Sequence, residues 1–503
     1  MRYILLVLAA TLLTVLMVSC SNFVQADPTQ VAITPTPTPP GPPDCQLTSP
    51  EAPGVHNLVD MLPGCDYAQW FEDNTGYEPD DSYFGDYKIL PWDEALYLGF
   101  GKARPAEFNG ALFARYQSGA LTALYQPTEQ GFIDMTPDIA RPVIHIPGAD
   151  PTDPAESGGS QWDWGNTYVY TPTTGIMTKH RNLPNVIHAW GLESTTAGLY
   201  AAVSSHLGDY ETWTGEVFRS NDLGNDWTRI ADKNAGVGDY RTYDIIQFNN
   251  KLYAIWNDEY GEPCGLAESS DDGANWARLS PFTGYTQCRS RLFIYNDQLL
   301  IIGSALDGVL ALHTDGSVST HIFPGFHAQA WAYNPFAIDA QNRLYITADH
   351  GRIMRTSDLI TWETLAASDR EFFTLAYWSD ADRIVAGDRG AMGRLWLLDP
   401  DLPAIQPPPA PNAVISLDGD DVIIQWPTQT QLSYRIYRSN APDFTPPVQF
   451  FYDATDVAIW EDADVGAEGG ATFYQVRSQN TAGDISGPSS LLGKFSFELT
   501  PEE

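Results

Sequence analysis

Positive charge is scarce in this chain. Only 27 Lys and Arg stand against 64 Asp and Glu, which leaves a net charge of −37 over 503 residues. Such a surface repels a polyanion at long range and no Lys/Arg cluster offsets it, so DNA and RNA are excluded as partners. Close-spaced Cys-x-x-Cys pairs are missing, which argues against metal held by thiols. No segment spells an EF-hand loop; the many carboxylates leave structural calcium open, and no other cofactor is expected. There is no Gly-x-Ser-x-Gly elbow and no His-Glu-x-x-His run, so the serine-hydrolase and zinc-protease signatures are absent. Glycosidase chemistry needs two carboxylates at a set separation, and 64 acidic residues single out no pair. The sequence therefore names no catalytic residue and leans away from an enzyme. Beyond the first twenty positions no apolar run is long enough to span a bilayer.

Aromatic residues are plentiful by contrast, with 15 Trp, 25 Tyr and 22 Phe, and there are 41 Gly and 37 Pro. This composition suits a large core built from many short strands joined by turns, an all-β chain. Arg2 is followed by an apolar run over 3–17, the charged and apolar regions of an export signal. The junction Met17-Val18-Ser19-Cys20 resembles the lipobox of bacterial lipoproteins, with Met17 where Leu is usual. That resemblance implies removal of 1–19 and acylation of Cys20. The protein would then be exported to the cell surface or periplasm, held to the membrane through that lipid alone. Residues 20–43, with Thr34-Pro35-Thr36-Pro37-Thr38-Pro39-Pro40, read as an extended tether. A second proline-rich linker covers 403–412. Apart from Cys20 the cysteines form two local pairs, Cys45 with Cys65 and Cys264 with Cys288. An oxidising compartment makes each pair a natural disulfide; three connectivities exist, and proximity favours this one.

Between the linkers, over 44–402, short β-rich runs recur. They include Ala95-Leu96-Tyr97-Leu98, Gly198-Leu199-Tyr200-Ala201, Lys251-Leu252-Tyr253-Ala254, Gln298-Leu299-Leu300-Ile301, Arg343-Leu344-Tyr345-Ile346 and Arg383-Ile384-Val385-Ala386. From Leu199 onward the steps are 53, 47, 45 and 40 residues, the length of one four-stranded β-propeller blade. With strands at 142–146 and 166–170 supplying a less regular blade, the count is seven; it is six if that stretch is an insertion. Ser220, Asp222, Gly224 and Trp227, and again Ser269, Asp271, Gly273 and Trp276, spell S-x-D-x-G-x-x-W. Asp358 with Trp362 is a shorter copy, and Asp315-Gly316 a more degraded one. These motifs resemble the Asp-box, or BNR repeat, of sialidases and related propellers. In that turn the carboxylate accepts backbone N–H bonds, Gly takes a positive φ and Trp packs back onto the sheet, so the role is structural.

Residues 413–496 resemble a fibronectin type III domain, a β-sandwich. Val422-Ile423-Ile424-Gln425-Trp426 fits its second strand with the core tryptophan, Tyr434-Arg435-Ile436-Tyr437-Arg438 its third, and 472–480 its sixth. Thr472 stands where that family places a corner tyrosine, which implies the loss of that hydrogen bond.

In a propeller the loops after successive second strands gather on one face. Arg104, Glu107, His206, Asp258, Asp307, Asp349, His350, Asp388 and Arg389 fall in those loops, and are the candidate ligand residues. The last blade lacks its outer strand, because the chain leaves through prolines. A strand from the 44–86 segment is expected to fill that edge, since an open edge invites aggregation. Sialidases add three arginines that grip a carboxylate. The nearest match here, Arg141-Pro142-Val143, lacks the motif's order, although Arg241, Arg289, Arg291 and Arg370 also recur near blade ends. The reading is a monomeric, noncatalytic surface protein that binds glycan or extracellular polymer. The alternatives are a scaffold for a surface protein, as a resemblance to photosystem II assembly-factor propellers implies, and a divergent sialidase-like exo-glycosidase.

Overall fold

In the computed structural model, described residues run from 57 to 480 except 63–64, 77–83, 103–110, 128, 152–163, 207–212, 259–264, 280–290, 303–307, 323–333, 349–350, 369–370, 389–392, 407, 419–420, 428, 430–431, 440–449, 456–458 and 463–471. Residues 31–32 and 492–494 are described as well. Cys20, Cys45, Cys264, Cys288, Arg104, Glu107, Asp307, Asp349, His350 and Arg389 lie outside them; of the two proposed disulfides only Cys65 is described, and it is buried.

Strands alternate with tight turns because the turn residues favour them. Asn249-Asn250 and Asn296-Asp297 each hold two successive positive φ angles, the two-residue hairpin geometry whose twist matches that of the flanking strands. Seven antiparallel four-strand groups follow along the chain, spanning 84–125, 136–184, 186–231, 241–278, 291–322, 336–367 and 372–398. The first and third are bridged into one ten-stranded sheet by the short strands Glu129–Gly131 and Ala149–Pro151. The seventh draws three strands from its own stretch. Its outer strand is Leu58–Asp60, paired antiparallel with Leu395–Leu398. The second group is complete: Ile144–Pro147 and Trp164–Thr171 are its middle strands. The irregular stretch is thus a group in its own right. Val31–Ala32, inside the expected tether, pairs with Thr178 and Lys179 at that group's outer edge. The tether is therefore not extended and unpaired throughout.

Seven apolar clusters lie between consecutive groups. Phe113 and Tyr97 meet Ile144 and Tyr170 between the first and second; Leu183 meets Val186 and Phe218 between the second and third. Val217 packs with Ile245 and Trp256, Ile255 with Leu299 and Leu310, Leu300 with Ile346, and Tyr345 with Leu375 and Trp396. The last cluster joins Val385 and Leu395 of the seventh group to Leu96 and Leu112 of the first, closing a ring. Each Leu, Ile or Val sealed in these seams contributes roughly 1.5–3 kcal/mol against its exposed state. The first strands of neighbouring groups touch one another, so they line the axis. The architecture is propeller-like.

Besides a short 3-10 turn at Lys233–Ala235, one α-helix departs from the all-β expectation among the described residues. Helix α1, Tyr67–Thr75, begins at Asp66, whose carboxylate accepts the Gln69 amide at 3.0 Å, and stops at Gly76 with φ +75°. Tyr67, Trp70 and Phe71 share one face, as 3.6-residue spacing requires, and pack into the seam that closes the ring.

The S-x-D-x-G-x-x-W turns join third to fourth strands. Ser220 Oγ accepts the Gly224 amide at 2.8 Å, and Asp222 Oδ1 accepts the Asp226 amide at 2.9 Å. Ser269 and Asp271 repeat this with Gly273 and Asn275. Trp227, Trp276 and Trp362 each pack onto an inter-group seam. In the shorter copy Thr356 replaces Ser, and Leu359 takes the left-handed position at φ +61°.

Residues 408–494 form two further sheets, one of three strands and one of four, around Trp426, Tyr434, Ile436 and Tyr474. Thr472 is buried, and Tyr474 donates its hydroxyl to Asp462 Oδ2 at 2.7 Å.

Candidate functional site

Antiparallel register places the ends of second strands beside the starts of first and third strands. His206 pairs with Trp213, Arg241 with Asn257 and Phe372 with Asp388. The His206 amide donates to Asn185 O, and the Tyr240 amide to Asn257 O. His206, Asp258 and Asp388 therefore sit at corresponding ends of their groups, with Trp213, Tyr240 and Arg241 among them.

Their surroundings differ. Asp258 is exposed, accepts the Asp239 amide and pairs with Arg278 at 3.3 Å; that guanidinium lies 4.1 Å from the Trp256 ring centre. His206 is buried. Asp388 corrects the sequence reading: it is 0% exposed, with Oδ1 accepting the Arg394 amide at 2.6 Å and Oδ2 accepting Trp396 Nε1 at 3.2 Å. Both its oxygens serve the fold, so it offers nothing to a ligand.

Composition and repeat spacing missed the group that stands out here. Where the third group meets the fourth, the Arg241 guanidinium lies 5.2 Å from the Trp190 ring centre, 5.1 Å from Trp213 and 4.7 Å from Tyr240. His188 stacks between Trp190 and Trp213 at 4.5 and 5.4 Å. Trp190 is anchored by its indole N–H to Ser204 Oγ at 2.6 Å, and its ring packs on Ile133, Ala149 and Phe373. Trp190, Trp213, Tyr240 and Arg241 are all partly exposed. The available signal was Trp213 opening its strand and Tyr240 directly before the next group.

A second charged cluster lies on the axial strands. Lys88 Nζ reaches Asp134 at 3.0 Å and Asn334 Oδ1 at 3.2 Å. Arg291 lies 3.4 Å from Asp244 and donates to Ile133 O at 3.0 Å. Asp134 and Asp244 accept the Leu192 and Leu292 amides. Burial works to raise Asp134, but Lys88 and Arg291 outweigh it and hold its carboxyl below the usual range. Burial wins at Asp244, which is raised. At Glu193 burial pushes the carboxyl up to about 7, against a bond from the Gln247 amide. These groups tie the axial strands of different groups together.

Arg141 lies elsewhere. It lines a cleft of about 390 Å³ with Asp138, Thr195, Gly198 and Asn221, at the end of the sheets where first strands turn into second. It is therefore at the opposite end from Arg241 and Arg291, and the three do not converge. Among the described residues no three His, Cys, Asp or Glu side chains gather as a metal site, and no helix is long and apolar enough to cross a membrane.

No protein-family model matches the chain, and no curated protein matches it in sequence. Among solved structures, it is similar to the extracellular domain of a putative hybrid two-component system from B. thetaiotaomicron. That likeness has 11% identity and a TM-score of 0.46, over 83% of this chain and 56% of that one. It is also similar to virginiamycin B lyase from Staphylococcus aureus, at 15% identity and a TM-score of 0.44, over 63% of this chain and 94% of that one. A streptogramin B lyase structure is comparable, at 12% identity and a TM-score of 0.42. Likenesses this distant carry no argument about activity.

Proposed function

We propose that this chain is an exported, lipid-anchored binding protein that recognises glycan or extracellular polymer without catalysis. The observation that carries the reading is the half-exposed set of Trp190, Trp213, Tyr240 and Arg241, at the sheet ends where His206 and Asp258 also lie. Partly exposed aromatic rings beside a positioned cation suit a polar ligand with apolar patches, as a pyranose is.

Seven four-strand groups with a closing seam support a seven-bladed propeller, whose S-x-D-x-G-x-x-W turns are Asp-boxes that hold the hairpins. The two sheets of 408–494 support a fibronectin type III-like spacer. Arg104, Glu107, Asp307, Asp349, His350 and Arg389 stay in the proposal on their phase in the repeat; Asp388 does not. Acylation at Cys20 and the pairs Cys45–Cys65 and Cys264–Cys288 rest on the sequence.

A glycan array run beside a fluorogenic-glycoside screen tests the reading. The expected result is retention of one class of glycan with no glycoside turnover. Turnover would make the protein an enzyme, and an empty array would remove the glycan. Intact-mass analysis of the membrane fraction is expected to give an N-terminus at Cys20 bearing acyl mass.

A further inference from the structure

Arg241 is conspicuous for what it lacks. In a chain with 64 carboxylates, most arginines of the ring have taken one: Arg229 holds Glu216, Arg278 holds Asp258, Arg291 holds Asp244, Arg343 holds Asp339 and Arg394 holds Asp60. The Arg241 side chain makes no hydrogen bond or ion pair with any described residue, and its Nε is buried without a partner. Three aromatic rings surround the cation instead. Ring faces hold a guanidinium flat but do not neutralise it, and they leave its N–H edge to whatever approaches. The nearest acid on the neighbouring strand end, Asp258, is occupied by Arg278. Tyr240 and Asp239 are fixed by their amides to Asn257 O and Asp258, so the segment leading into Arg241 is held in place.

We infer that this site takes the carboxylate of an acidic sugar, a hexuronate unit within an extracellular polysaccharide. The inference rests on the glycan reading above and names its class. A planar guanidinium edge matches a carboxylate with two parallel N–H···O bonds. Trp213 and Tyr240 are partly exposed beside the guanidinium, so apolar ring surface lies within reach of the same unit. The geometry favours a sugar acid over an acidic peptide, because a peptide side-chain carboxylate brings no rigid apolar face to the rings. The surface repels polyanions in general, so the selectivity lies in a cation that no described carboxylate neutralises and that aromatic rings frame.

The test compares tri-galacturonate with its carboxyl-reduced neutral counterpart, by calorimetry on the full chain. The wild-type protein is expected to bind the acid at least about tenfold more tightly, the scale of one charge-assisted bidentate contact. Arg241→Gln is expected to erase that preference, with Arg241→Lys restoring only part of it. Trp213→Ala is expected to weaken both oligomers and keep the preference. Melting curves for each variant establish that it folds. Equal affinity of the wild-type protein for the two oligomers, or a preference that survives Arg241→Gln, overturns the uronate assignment while leaving a glycan reading intact. Tight binding of poly-glutamate without binding of the uronate also overturns it, in favour of a peptide. Absence of any glycan binding, neutral or acidic, removes both.

Discussion

Replacing Asp388 by Ala would strip the acceptor from the Arg394 amide and the Trp396 indole inside a site closed to water. The expected cost is about 2–4 kcal/mol, seen as a lower urea midpoint with an unchanged slope. Glu193 gives a pH signature. Its carboxyl titrates near 7 in the fold against an ordinary 4.5. Between those values the unfolded chain has released the proton while the folded protein keeps it, so stability falls as pH rises through that window. Glu193→Gln is expected to match the wild-type protein near pH 4.5 and to exceed it above pH 7 by on the order of 2 kcal/mol. Asp244 and Glu216, raised too, add to that slope, while His145 and His180, held below their usual range by burial, oppose it. Thermal melts from pH 4 to 8 check both. At this scale the sequence was least informative. The repeat placed Asp388 and Asp258 at equivalent strand ends, but only the folded surroundings make one a buried acceptor and the other an exposed ion pair. Arg241 was visible as one arginine among several; its three rings come from three separate stretches of chain that spacing cannot bring together.

Among the elements, the turns were the most legible, because their chemistry is local. Ser, Asp, Gly and Trp at fixed offsets describe one hairpin, and the hydroxyl, carboxylate and positive φ all lie within eight residues. Gly224 has φ +82° with no side-chain or backbone atom nearer than 3.4 Å to a built Cβ, whereas a Cβ on Gly273 would sit 2.3 Å from Ile230 Cδ1. Gly224→Ala is expected to cost about 1–2 kcal/mol, the strain of the left-handed region, and Gly273→Ala more, as Ile230 must also move. Differential scanning calorimetry would rank them. The residue directly after the aspartate, Leu223, Asp272 or Leu359, also has a positive φ, so that position accepts a side chain in all three turns. Helix α1 was not legible. It is nine residues long in a stretch without strand alternation, and its apolar face is recognisable only once the seam it fills is known.

At the scale of the whole molecule, the ring follows from repetition. Four strands cannot bury both faces alone, so each group needs two neighbours and the row of groups must meet itself. The step length carried that much, and the missing outer strand of the seventh group called for one from near the N-terminus, where Leu58–Asp60 lies. What the period could not carry was the second group, whose middle strands are separated by an insertion. Charge acts at this scale as well. A net −37 strains any compact state, so raising salt from about 0.05 to 0.5 M is expected to raise the melting temperature as the Debye length shortens. A fall in melting temperature over that range would mean that ion pairs such as Arg343–Asp339 outweigh the general repulsion.

The strand at 58–60 also sets an order of events. Asp60 meets Arg394 across 334 residues, and no other strand completes the seventh group. The seam between the last group and the first therefore cannot form until the chain has been made, or threaded across a membrane, to about residue 398. Closing a loop of that length costs roughly 5 kcal/mol of chain entropy before any contact rewards it. Local hairpins can form early, on microsecond timescales. The ring itself is sealed last, in a single step that waits for both ends, so refolding is expected to be slow and limited by that closure. A nascent chain stalled before the seventh group should stay open to protease at its first and sixth groups, whose seams the seventh completes.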